Sequence, residues 1–195
     1  MVPPPSAMSP GEKHGPAATP KTARFLVRLY GVLLLRPTTY ANIAVGGGTV
    51  LQAAVVVTIV ALATGVGAIG LAGEQANQDV GQTFVFGILG ALFTWALWVV
   101  ATAFLGVIAV RESAARPDLV RLIGTLSFAQ APAVFRAFSF NHEAAVVLFI
   151  ATLLWQVAAM TVAVLQAFGY ASAWRAFGLV IFGLVPVVVI NIFVL

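Results

Sequence analysis

Few residues in this sequence are of a type that could do chemistry, and their spacing decides what chemistry that would be. Gly65-Val66-Gly67-Ala68-Ile69-Gly70 is a literal GxGxxG. A dinucleotide site needs that pattern in the turn between a strand and a helix of a soluble unit. Here it sits inside an uncharged apolar stretch, where small residues let helices approach closely, and the four-residue spacings Ala61/Gly65 and Ala63/Gly67 extend the same face. The chain holds two histidines, His14 and His142, and no cysteine, so a zinc or di-metal centre has no ligand supply. His142, in Asn141-His142-Glu143, is the one candidate axial ligand for a haem or chlorin metal. The same tripeptide is explained by Asn141 as a helix N-cap with Glu143 in the first turn. None of Ser6, Ser9, Ser113, Ser127, Ser139 and Ser172 stands in a His/Asp arrangement that could activate it. Neither a catalytic residue nor a metal site is expected, and the chain reads as a non-enzyme.

The remaining polar groups are amides and hydroxyls within apolar runs: Gln52, Gln130, Gln156, Gln166 and Asn191, with Thr58, Thr64, Thr94, Thr102 and Thr161. Hydrogen bonds between helices, worth about 1 kcal/mol each, account for them; a polar path is the sharper alternative. No carboxylate falls inside an apolar run, which removes the usual parts of proton relays and cation-coupled carriers. Arg136, close to Pro132 in the weakest run, is the nearest thing to a special site, and it is expected to reach out toward an interface.

The elements that must position these groups emerge from composition. Of 195 residues, 61% are hydrophobic and 8% charged, against roughly 25% charged in a soluble domain. With mean hydropathy at +1.04, an ordinary soluble globule is excluded, as are disordered and collagen-like chains. What remains is an all-α, polytopic membrane bundle of one domain. The formal charge of +4 speaks to the side of a bilayer and not to nucleic acid.

Residues 1–23 hold six of the ten prolines and read as a disordered tail, unlike a signal peptide. Residues 24–36 place Arg24, Arg28 and Arg36 among Phe25, Leu26, Leu29 and Leu33. That pattern suits a basic interfacial helix with its arginines on lipid headgroups, or a flank that orients the first span. Pro37 is expected to end this helix, and Gly46-Gly47-Gly48 to break the chain again before the first span. Residues 37–195 form the bundle, with spans near 49–71, 83–110, 122–140, 144–168 and 176–195. The third is the weakest: it contains Gln130, Pro132 and Arg136, and either crosses or is re-entrant. With the N-terminus cytoplasmic, nine of the ten Lys/Arg fall inside on either path. Pro186 is expected to disturb the last span, a fault that neighbouring helices in lipid tolerate.

The order of segments resembles the Yip1-domain family of small five-span membrane proteins. The similar pieces are residues 36–40 (RPTTY), 121–132 (RLIGTLSFAQAP), Leu154-Trp155-Gln156 and 170–176 (YASAWRA), so the likeness covers about residues 36–195. It implies a compact five-helix bundle with a cytoplasmic N-terminus. Eukaryotic members are linked to vesicle trafficking, small GTPases and membrane shaping. Their long acidic N-terminal region is replaced here by a short basic tail, which leaves a GTPase partnership unsupported. Alanine richness and arginine over lysine point to a bacterial cytoplasmic membrane.

Association is the expected mode of action: with lipid, with other copies, or with other membrane subunits. Gly65, Gly67, Gly70, Gly87, Gly90 and Gly106 are the packing positions that motivate it. The alternatives are an accessory or assembly subunit of a respiratory or photosynthetic complex, and a small-solute channel or carrier. No cofactor of its own is expected beyond bound lipid, pigment contact arising only inside a larger complex. No soluble substrate is evident.

Overall fold

The computed structural model describes residues 21–45, 49–73, 79–109, 119–170 and 172–194. The Pro-rich tail up to residue 20, the triglycine at 46–48 and the polar loops within 74–78 and 110–118 lie outside the described residues. Seven α-helices and one 3-10 helix account for nearly all of the described residues, and no strand occurs among them. In chain order they are α1 (Lys21–Leu33), α2 (Pro37–Val45), α3 (Thr49–Ala72), α4 (Val80–Ala109), α5 (Leu119–Phe128), the 3-10 helix (Ala131–Phe138), α6 (His142–Phe168) and α7 (Ala173–Val194). Three of them, α3, α4 and α6, are long and apolar enough to cross a membrane. The apolar runs Leu122–Phe138 and Ala173–Val189 are shorter.

Glycine makes the bundle close. An added Cβ on Gly87 would fall 2.8 Å from Ala68 Cβ and 2.9 Å from the Gly65 backbone, and one on Gly65 would meet Phe84 and Ile88. Antiparallel α3 and α4 therefore touch backbone to backbone at their GxGxxG stretch. Gly67 abuts the backbone of Arg136, Gly70 that of Ser139, and Gly106 the ring of Phe168. Gly90 departs from the expected packing set: its Cβ position has nothing within 4 Å, because it faces open space and not a helix. The core gathers Tyr40, Ile43, Trp98, Leu122, Leu126, Phe128, Met160, Val164 and Val180, all buried.

The weak segment resolves into two short pieces. Ser127 Oγ donates to the carbonyl of Ile123 inside α5. Pro132 then starts the 3-10 helix, where its missing N–H costs nothing in the first turn. At 1.5 Å per α-helical and 2.0 Å per 3-10 residue, the two pieces are about 15 Å and 16 Å long, so neither alone reaches the roughly 30 Å of a hydrocarbon core. The end of the segment is fixed, since Ser139 lies against Gly70 and Nδ1 of His142 sits 2.7 Å from the carbonyl of Leu71 near the end of α3.

The N-terminal region needs correction. The helix begins at Lys21 and ends at Leu33, and Arg36 stands outside it, beyond Leu35, whose φ is +53°. Pro37 opens a further helix, α2, because proline is well suited to a first turn. The α1–α2 turn is tied to the bundle: Trp155 Nε1, halfway along α6, donates to the carbonyl of Leu33 at 3.2 Å. Tyr40 Oη donates to Val32 O at 3.2 Å and pins the hairpin from inside.

Gly87→Leu is expected to lower unfolding stability in detergent by about 1–3 kcal/mol, since the added atoms overpack the α3–α4 contact. Gly90→Ala should leave it unchanged or raise it by up to about 1 kcal/mol through helix propensity. Thermal unfolding followed by circular dichroism checks both.

Candidate functional site

Arg136 is half-buried, on the 3-10 helix, with its backbone against Gly67 of α3. Its guanidinium is held from three directions. Nε donates to Thr152 Oγ1 at 3.0 Å, Nη2 to Gln156 Oε1 at 2.8 Å and Nη1 to Thr64 Oγ1 at 3.5 Å. Thr152 and Gln156 are four residues apart on α6, so they present their acceptors on one face. Thr152 gives its own proton to the carbonyl of Leu148 at 2.6 Å, leaving lone pairs for the arginine. The ring of Phe149 lies under the guanidinium, 4.5 Å from Cζ to the centroid, a cation–π contact of the kind that gains strength away from water.

The polar set continues inward as a directional chain. Gln156 Nε2 donates to Gln130 Oε1, and Gln130 Nε2 donates to Met160 Sδ at 3.7 Å. Both glutamines are buried. Each amide uses its oxygen toward Arg136 and its nitrogen away from it, so every link agrees in polarity. Buried networks of this kind hold when each member is satisfied.

Arg136, Gln130, Gln156 and Thr64 form one side of a cavity of about 590 Å³, inside the range of roughly 300–1,000 Å³ usual for small-molecule sites. The rest of its wall is mostly apolar or aromatic, including Trp95 and Trp98, with Gly90 and the one further hydroxyl, Thr94, on the α4 side. Trp98 Nε1 donates to Val180 O at 3.3 Å, whereas Trp95 Nε1 is shielded from solvent and meets no acceptor among the described residues. The described carboxylates are Asp79 and Glu143, both exposed at helix starts, and neither lines the cavity. Asp79 Oδ1 accepts from the backbone N–H of Gly81 at 2.8 Å. Asn141 Oδ1 accepts from Ala144 N at 2.8 Å, the N-cap of α6.

The structure thus brings together Thr64, Gln130, Arg136 and Gln156 from the polar residues singled out in sequence and adds Thr152. Arg136 does not reach for an interface, because acceptors on α3 and α6 hold it inside. Thr152 escapes a sequence reading, although its four-residue spacing to Gln156 was the available signal. Gln166 is half-buried further along α6. Asn191 lies near the end of α7, where side chains fall outside the described residues. His142 is exposed, with the Leu71 carbonyl at its Nδ1, and no group of three metal-binding side chains occurs among the described residues. The three arginines set against headgroups differ. Arg24 is exposed, Arg28 Nη1 donates to Gln52 Oε1 at 2.7 Å, and Arg36 lies over the Tyr30 ring at 5.7 Å. Arg28 therefore ties α1 to α3.

No family model, curated protein or solved structure matches the chain.

Gln156→Leu strands both Arg136 and Gln130 and is expected to cost about 1–3 kcal/mol of stability. Thr161→Val, one turn on, should cost less, because the Thr161 hydroxyl only doubles up on the carbonyl of Val157 in its own helix. Denaturant unfolding in detergent compares the two.

Proposed function

We propose that this chain is a non-catalytic integral membrane protein that acts by helix and lipid association, a membrane-organising role like that implied by its resemblance to the Yip1-domain family. The observation that carries the reading is the outer face of α4. Phe86, Leu89, Phe93, Val100, Phe104 and Ile108 are each more than half exposed and recur at three-, four- and seven-residue spacing, a continuous apolar face. Its opposite face is seamed by glycine against α3. A helix so divided is fitted to press on its own bundle on one side and on acyl chains or another helix on the other.

Five crossings with a cytoplasmic N-terminus, in a bacterial cytoplasmic membrane, complete the proposal. The apolar run Leu122–Phe138 supports a third crossing, and the exposed pair Trp174-Arg175 supports an interface at the start of α7. The cysteine-free chain makes the topology testable. In intact spheroplasts a membrane-impermeant maleimide is expected to label Glu143→Cys, and to label Ser172→Cys only after lysis. The reverse pattern, Ser172→Cys labelled in intact spheroplasts and Glu143→Cys only after lysis, would remove the third crossing.

Extraction of the full chain with its surrounding lipid in copolymer nanoparticles, with native mass spectrometry as the readout, tests the association itself. The expected species are the chain or copies of it carrying lipid. A fixed stoichiometric set of other subunits would replace this reading with that of an accessory subunit. Solute flux in proteoliposomes, abolished by changing Gln130 or Arg136, would replace it with that of a carrier.

A further inference from the structure

We propose that the Arg136 cavity is a binding site for one lipid with a single oxyanion head and an acyl tail, taken up sideways from the bilayer. The proposal rests on the lipid-association reading and gives it a site. Thr152 and Gln156 stand ten and fourteen residues past His142, or about 15–21 Å along α6 at 1.5 Å per residue. Thr64 is eight residues before the end of α3, about 12 Å along it. The guanidinium therefore sits deep in the apolar layer, where a cation without a counter-charge is expensive. Arginine does not escape that cost by losing its proton.

The side chains that hold this guanidinium are all neutral: two threonine hydroxyls, one amide and one ring. They use three of its five N–H donors. One donor remains on each terminal nitrogen, the fork that takes the two oxygens of a carboxylate or phosphate. Among the described residues no acid lines the cavity to occupy that fork. The indole N–H of Trp95, in the same wall, is a second buried donor that meets no acceptor among them.

The shape selects the source of the anion. Apart from the Arg136 end and Thr94 on α4, the wall is built mostly of side chains such as Val57, Val60, Ala91 and Leu184, a poor host for a hydrated free ion. Phe86, Leu153 and Val188 belong both to this wall and to the exposed apolar outside of the bundle, so the cavity reaches the lipid-facing surface. A head on Arg136 with a tail leaving between these residues satisfies charge and burial together.

The test titrates the full-length chain, in a non-ionic detergent at pH 8, with oleate, oleyl alcohol or inorganic phosphate, and counts bound molecules by native mass spectrometry. One oleate per chain is expected, with the alcohol and phosphate at least tenfold weaker. Arg136→Gln should weaken oleate at least tenfold. Because Arg136 also ties three elements together, Gly90→Leu provides an independent arm: its side chain grows into empty space in the wall. It should keep the thermal midpoint and lose oleate by a similar factor. Phosphate binding as well as oleate would make this a free-anion site, and equal binding of the alcohol would make it a plain apolar pocket; either overturns the proposal. So does oleate binding unchanged in both variants. Those results, with lipid still present on the natively extracted chain, would leave the association reading standing, whereas a lipid-free native extract would remove that reading.

Discussion

A fixed positive charge deep inside an apolar bundle is the constraint on which the interior of this protein depends. Water is the ordinary solvent for a guanidinium, and here neighbouring side chains stand in for it. To do so they must converge from separate elements: Thr64 from α3, Thr152 and Gln156 from α6, with Phe149 closing one face. Each acceptor must also dispose of its own donors, which is why Thr152 turns its proton to Leu148 and Gln156 hands on to Gln130. The arginine thus helps to fix the relative depth of α3, α6 and the 3-10 helix.

Glycine supplies the complementary condition. An arginine on a short helix meets acceptors on α3 only if the two backbones run almost in contact, and Gly67 and Gly70 provide that approach along the line from Arg136 to Ser139. On the other side of α3, Gly65 does the same with Gly87. The GxGxxG stretch is therefore a two-sided seam, and its repeat reflects the two neighbours that α3 must accommodate at once. Gly90, one turn beyond Gly87, is released from this duty and leaves room for the cavity.

The long helices were legible because hydropathy and length are summed over many residues: α3, α4 and α6 match the expected runs closely. The helix start at Asn141 was legible because a cap is a local event. What escaped depended on contacts far apart in the chain. Pro37 reads as a stop in the sequence, whereas in the fold it opens α2, whose Tyr40 and Ile43 pack in the core. Arg28 reads as a headgroup anchor until Gln52, 24 residues on, is brought beside it. Arg136 reads as a snorkelling residue until Thr64, 72 residues away, is folded against it. Polar groups in an apolar sequence announce that a partner is needed, but the identity of that partner is a property of the tertiary arrangement.

The 3-10 helix at Ala131–Phe138 has a geometric consequence of its own. With three residues per turn, each step rotates a side chain by about 120°, against about 100° in an α-helix. Loss or gain of one residue between Gln130 and Arg136 would swing the cation a third of the way round, away from both α3 and α6. This segment therefore behaves as a spacer of indivisible length between Gln130 and Arg136.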